Sequence, residues 1–153
     1  MFDIWKRRLA SATVCLALTV GFSLGAHATE ALSFAPVQTE QEVRFVNLDL
    51  GLKDELTKLE AKLGRSPAVE YAVIDLDADG APEIVIRIHQ DGSCETDKCT
   101  TIVFSNAHDQ WTRVLETVAP EVTVAKRVTE GYRDLLVGSQ PWAWTGKRYM
   151  ASR

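Results

Sequence analysis

The chain has 153 residues, 17 basic and 21 acidic side chains, a formal net charge of −4 and 46% hydrophobic residues. That is one domain by size. An acidic balance with no basic run beyond Lys6, Arg7 and Arg8 excludes nucleic-acid binding, which needs cations to displace phosphate counterions. It equally excludes docking on anionic lipid, whereas metal ions and other cationic partners suit it.

Lys6, Arg7 and Arg8 precede an uncharged run rich in Ala, Leu and Val from Leu9 to Gly25, and Ala26-His27-Ala28 closes it in the small-x-small pattern of a signal-peptidase site. Residues 1–28 therefore read as a signal peptide cleaved after Ala28, which places the protein in a periplasm, with secretion beyond it as the alternative. The rival is an uncleaved anchor. The run is shorter than the ~20 apolar residues of a comfortable span and holds Ser11, Thr13, Thr19 and Ser23, so no membrane span is expected after cleavage. Cys15 lies mid-run, where a lipid-attachment cysteine would stand at the end. The loss of three basic residues and one acid leaves the remainder more acidic still.

Residues 29–41 lack periodicity and read as a flexible mature N-terminus, followed by a single α+β domain over 42–153. Val43, Phe45, Val46, Leu48 and Leu50 fit either a strand or a short helix. Leu52, Leu56, Leu59 and Leu63 recur at helical spacing with charges between them, and Gly64 then Ser66-Pro67 stop the element. A leucine stripe of this kind is usually covered by the protein's own sheet. Strands are expected at 69–76, 83–89, 100–105, 111–117, 122–128, 134–138, 142–144 and 148–150, separated by turn residues such as Asp79-Gly80, Ala119-Pro120 and Glu130-Gly131. The simplest fold is an antiparallel β meander, blade-like, packed against one N-terminal amphipathic helix. A weak two-fold repeat runs through it. Asp79-Gly80-Ala81-Pro82-Glu83 and its three aliphatics match Glu130-Gly131-Tyr132-Arg133-Asp134 and its own at an offset of 51.

Two cysteines remain after cleavage, Cys94 and Cys99. An even count in an exported chain reads as a disulfide. The ring is short and contributes about 2 kcal/mol by chain entropy. Together with His89 and His108 the pair also admits a zinc or copper site, though the spacing fits no compact finger and oxidation would consume the thiols.

The stretch 75–83 carries the chemistry. Asp75, Asp77, Asp79 and Glu83 stand at loop positions 1, 3, 5 and 9, with Gly80 at 6. Alternating oxygen ligands followed by a turn-forming Gly let a short loop wrap Ca²⁺, with the Ala81 carbonyl at position 7. The plain alternative is an acidic β-turn, since Asp and Gly favour turns for local reasons. Position 12, where an EF-hand places a bidentate Glu, is Ile86. The loop resembles the Asp-x-Asp-x-Asp-Gly-x-x-acid loops of FG-GAP and integrin-type propeller repeats. That resemblance implies a Ca²⁺ site in which Glu83 replaces the missing twelfth ligand, and a blade-like unit. With the Cys pair, the Gly131-Tyr132-Arg133-Asp134-Leu135 segment and Gly146-Lys147-Arg148-Tyr149, the layout is also similar to small exported proteobacterial proteins of unassigned function. In the second copy Lys126 and Val128 replace Asp75 and Asp77, so a single cation is expected.

No nucleophile elbow, phosphate loop or zinc-protease helix occurs, and the chain reads as no enzyme. Trp142 and Trp144 share one strand face and are candidates for partner binding, although aromatics at that spacing are more often core cover. The expected function is a non-catalytic periplasmic binding or interaction module with one Ca²⁺-type loop and another periplasmic or envelope protein as partner. The alternative is an inhibitor or immunity protein against a cell-wall hydrolase, where an acidic surface would speed encounter with a basic enzyme. Intact-mass measurement of exported material should find a chain starting at Thr29, and a species retaining residues 1–28 would contradict the soluble, exported reading.

Overall fold

The computed structural model describes residues 29–90, Cys94, 99–107 and 110–152. The expected signal peptide and His108 lie outside them. Among the described residues no helix is long and apolar enough to cross a membrane.

Among the described residues ten strands form two five-stranded antiparallel sheets. Two short strands come first, β1 (Thr29–Ala31) and β2 (Ala35–Pro36), followed by two short helices, α1 (Glu40–Arg44) and α2 (Lys53–Leu63), joined through a π-helical turn at Phe45–Asp49. Then come β3 (Val69–Ile74), β4 (Glu83–His89), β5 (Cys99–Ala107), β6 (Gln110–Ala119), β7 (Val122–Thr129), β8 (Tyr132–Val137), β9 (Gln140–Trp144) and β10 (Tyr149–Ala151). The first sheet runs β2-β3-β4-β5-β6 and the second β1-β7-β8-β9-β10. Each is a four-stranded meander with one short strand from the N-terminal segment added beside its first strand. Within residues 29–41, expected as flexible, β1 pairs with β7 and β2 with β3.

The expectation of one meander behind one helix is therefore corrected. Two helices cover one face of the first sheet, and the second sheet covers the other. The reason lies in β4 and β5. Ile84, Ile86, Ile88, Ile102 and Phe104 pack with Val46, Leu50 and Leu52 under the helices. Val85 and Val103, on the opposite face, pack with Val122, Val124, Leu135 and Tyr149 of the second sheet. A sheet that is apolar on both faces needs a layer on each side. Leu56 and Leu59 of the α2 stripe lie on the first sheet's core, and Gly64 ends the helix in the left-handed conformation (φ 69°). Strand β6 is the long free edge of the first sheet. It carries a bulge that slips Val114 between Arg113 and Leu115, opposite Phe104 and Val103.

The ambiguous 42–50 segment is helical because of a capping box. The Thr39 side chain accepts from the Glu42 N–H (3.2 Å), and the Glu42 carboxylate accepts from the Thr39 N–H (2.9 Å). The same carboxylate takes the Gln38 N–H (3.0 Å) and the Tyr71 hydroxyl (3.1 Å), which ties α1 to β3. Burial pushes the Glu42 carboxyl up, but these hydrogen bonds outweigh it and hold it below the usual range. Thr39→Ala should cost about 1 kcal/mol as a lost cap. Glu42→Ala should cost more, because it removes the acceptor of three hydrogen bonds at once. Urea denaturation of the two variants should show that order, and equal midpoints for both would remove the carboxylate from the account.

Candidate functional site

The 75–82 loop joins β3 to β4 at one end of the first sheet. Leu76 is buried and anchors it. Glu83, the first residue of β4, is only 3% exposed, and its Oε2 accepts from the Leu76 N–H at 2.7 Å. The other acids organise the turn from within. Asp75 Oδ2 accepts from the Gly80 N–H (3.1 Å), Asp77 Oδ1 from the Asp79 N–H (3.2 Å) and Asp79 Oδ1 from the Ala81 N–H (2.6 Å). Ala78 and Gly80 both have positive φ, 60° and 86°. The tight reversal depends on Gly80, since a side chain there would be strained.

Asp75, Asp77 and Glu83 each present a carboxylate oxygen, and the three oxygens lie within 4.8 Å of one another. Calcium–oxygen bonds of 2.3–2.6 Å set opposite ligands about 4.6–5.2 Å apart and neighbours closer, so the three oxygens fit one Ca²⁺ shell without large movement. Asp79 is not part of this triad; its Oδ1 accepts from the Ala81 N–H. Ala81 is half-buried in the same turn.

Second-sheet side chains close over the loop. The Tyr132 hydroxyl lies 3.3 Å from Ser105 Oγ, and burial together with the neighbouring Asp77 carboxylate pushes it above its ordinary value. Its ring stacks on Trp144 (centroids 4.2 Å apart, planes at 22°), and Tyr149 meets both rings edge-on. The backbone closes the same contact, because the Arg133 N–H donates to the Leu76 carbonyl (2.8 Å) and the Tyr149 hydroxyl to the Arg133 carbonyl (2.8 Å). Burial pushes the Tyr149 hydroxyl well above its ordinary value, and the charges of Glu83, Asp134 and Asp77 add to the shift. Both candidate tryptophans are half-buried against the inter-sheet core. Trp144 belongs to this aromatic group, and Trp142 lines an open groove of about 540 Å³ between β6 and β10 with Arg113, Arg148 and Met150.

In the second copy the turn is a two-residue hairpin with Glu130 and Gly131 at φ 50° and 88°. Asp134, the counterpart of Glu83, is equally buried at 2% exposure. Its Oδ2 pairs with Arg127 (2.9 Å), while its Oδ1 is buried without a hydrogen-bond partner among the described residues. Lys126 and Val128 are exposed.

At the far end of β4 the Cys94–Cys99 disulfide is formed, with both residues buried. His89 Nε2 lies 2.9 Å from Glu70 Oε2, the same oxygen that takes Arg87 Nη2 at 2.6 Å and Nε at 2.9 Å. Burial raises the Glu70 carboxyl, but His89 and Arg87 more than offset this and hold it low.

Tyr132, Ser105 and Glu42 were not among the residues picked from the sequence. The Thr39-x-x-Glu42 spacing would have found the last. For Tyr132 and Ser105 only the fold supplies the contact. No protein-family model, curated protein or solved structure matches this chain.

Burial, set against the Leu76 N–H and reinforced by Asp77, Asp75 and Asp79, lifts the Glu83 carboxyl to about 7. The folded state then holds this proton more tightly than the unfolded chain. Between about pH 4.5 and 7 stability therefore falls as pH rises, by an amount of order 3 kcal/mol. Urea midpoints in chelator should drop between pH 5 and 7.5, and Glu83→Gln should flatten the drop. An unchanged slope in that variant would show that Glu83 is not the group responsible.

Proposed function

We propose that this domain is a non-catalytic binding module of the periplasm whose 75–83 loop takes one Ca²⁺, and that it engages another periplasmic or envelope protein. The observation that carries the reading is the convergence of Asp75, Asp77 and Glu83 oxygens within 4.8 Å. Three carboxylates at that range repel one another. The loop holds them together with its own N–H groups and gives one of them, Glu83, little water, and a divalent cation would relieve both costs. The flexible oxygen count and loop carbonyls suit Ca²⁺ better than Mg²⁺, which demands near-ideal octahedral geometry. This agrees with the likeness of the loop to FG-GAP and integrin-type repeats. Asp75, Asp77 and Glu83 would hold the ion directly. Asp79 and the Ala81 carbonyl would complete the shell, Asp79 after exchanging the Ala81 N–H for the metal. The ion's role is to fix the turn under Tyr132 and so the seam between the sheets.

A loop of this kind binds in the range of extracellular modules, about 10⁻⁴–10⁻³ M. At millimolar Ca²⁺ that adds about 1–1.5 kcal/mol of stability at the tight end, a rise of a few degrees in Tm for a domain of this size. Thermal melts with and without several millimolar Ca²⁺ should show the rise in the native sequence. Asp77→Ala should abolish it, and Glu130→Gln in the second copy should leave it in place. Calorimetry without heat together with melts without a shift would leave the loop as an acidic turn.

A further inference from the structure

We propose that the far end of β4 is a second, soft cation site, made when the Cys94–Cys99 disulfide is reduced: Cys94, Cys99 and His89 then bind one Zn²⁺, with Glu70 positioning the imidazole. In antiparallel register His89 lies directly opposite Cys99, so the ladder itself sets two of the three ligands side by side. Cys94, in the turn between β4 and β5, is bonded to Cys99 and supplies the third. One imidazole nitrogen and the two sulfurs all lie within 4.8 Å of one another. A tetrahedral zinc centre with Zn–S of 2.3 Å and Zn–N of 2.0–2.1 Å sets its ligands about 3.5–3.8 Å apart. The sulfurs must separate from their bonded distance, and an imidazole nitrogen already within 4.8 Å of both needs little movement.

The surroundings are those of a metal histidine. A zinc-bound imidazole is held by a carboxylate on its other side, which fixes the ring and raises its basicity. Here Glu70 sits 2.9 Å from His89, and Arg87 in turn clamps Glu70 through two N–H groups to the same oxygen. Both cysteines are buried and His89 nearly so, which favours thiolate ligation over exposed carboxylate competition. Three protein ligands leave one coordination position for water or a further donor.

The chemistry balances with a dithiol reductant. It donates two electrons and two protons, the Sγ–Sγ bond breaks to two thiols, and the reductant becomes a disulfide. Zn²⁺ then displaces both thiol protons and binds the two thiolates and the imidazole. Disulfide and metal exclude each other, so the redox state selects whether this end of the strand is stapled or metallated. The acidic loop at the other end is untouched.

Cobalt is the probe, because thiolate-to-Co²⁺ charge transfer gives a near-ultraviolet band that oxygen ligands at the acidic loop cannot give. The full chain reduced with dithiothreitol should show that band at one Co²⁺ per chain and lose it on adding Zn²⁺. The oxidised protein and Cys99→Ser should show none of comparable strength. Zn²⁺ competition against a chelator should show weakening of at least about 10-fold in His89→Ala and about 10–100-fold in Glu70→Gln. A band of equal strength and affinity in His89→Ala would overturn the three-ligand site. So would a reduced protein that keeps its far-ultraviolet circular dichroism yet gives no band. Loss of the folded spectrum on reduction alone would overturn it as well, since the strands must stand to hold the ligands.

Discussion

Strand β4 is buried on both faces at Ile84, Val85 and Ile86, and the rest of the molecule is arranged around that. Its isoleucines require the helical layer and Val85 requires the second sheet, so the first sheet becomes the middle of three layers. Polar chemistry is pushed to the two ends of the strand, where the ladder stops and side chains of either character can be satisfied. At the first end stands Glu83, dry and facing Asp75 and Asp77. At the last stands His89, across from Cys99 and held by Glu70. A strand of seven residues separates them by about 20 Å.

The loop's shape is as much a property of the second sheet as of the first. Tyr132 reaches Asp77, Trp144 stacks behind Tyr132, and Arg133 accepts from Tyr149 while donating to Leu76. The Arg133 N–H joins the loop to β8, and the Tyr149 hydroxyl on the Arg133 carbonyl ties that point to β10. Anything that reshapes the turn must therefore move the seam between the sheets. This is the physical route by which an ion at the loop would be felt across the domain.

Much of this was legible in the sequence. Helix α2, with its leucine stripe and Gly64 stop, and strand β4, with its alternating isoleucines, have the bounds that period and punctuation imply. The division into two sheets was not legible, because alternation says which side chains share a face and not which strands are bonded. The clue was the single valine on the far face of each central strand, Val85 and Val103, against Ile84, Ile86 and Ile102. At the site, the spacing of Asp75, Asp77 and Glu83 showed the triad. Asp79 stands outside that cluster, a difference among the alternating acids that spacing does not reveal. Tyr132 stands far along the chain from the loop it covers, and nothing local marks it. Glu83 and Asp134 matched in the repeat, and both are buried, though only one has acidic company.

The N-terminal segment has a consequence for the order of assembly. Within eight residues the chain pairs with both sheets, β1 on β7 and β2 on β3. Thr29 meets Ala125, a partner synthesised long after it. A contact spanning that much chain is slow to close, because loop entropy must be overcome before the pairing repays it. The first sheet and its helices can form as soon as β6 has emerged. During that interval β1 has nowhere to bind, and the inner face of the first sheet is bare. The segment that stitches the two sheets together is thus made before either of them, its β1 half docks only after β7 has emerged, and the half-built domain is the species that is exposed to aggregation and needs protection.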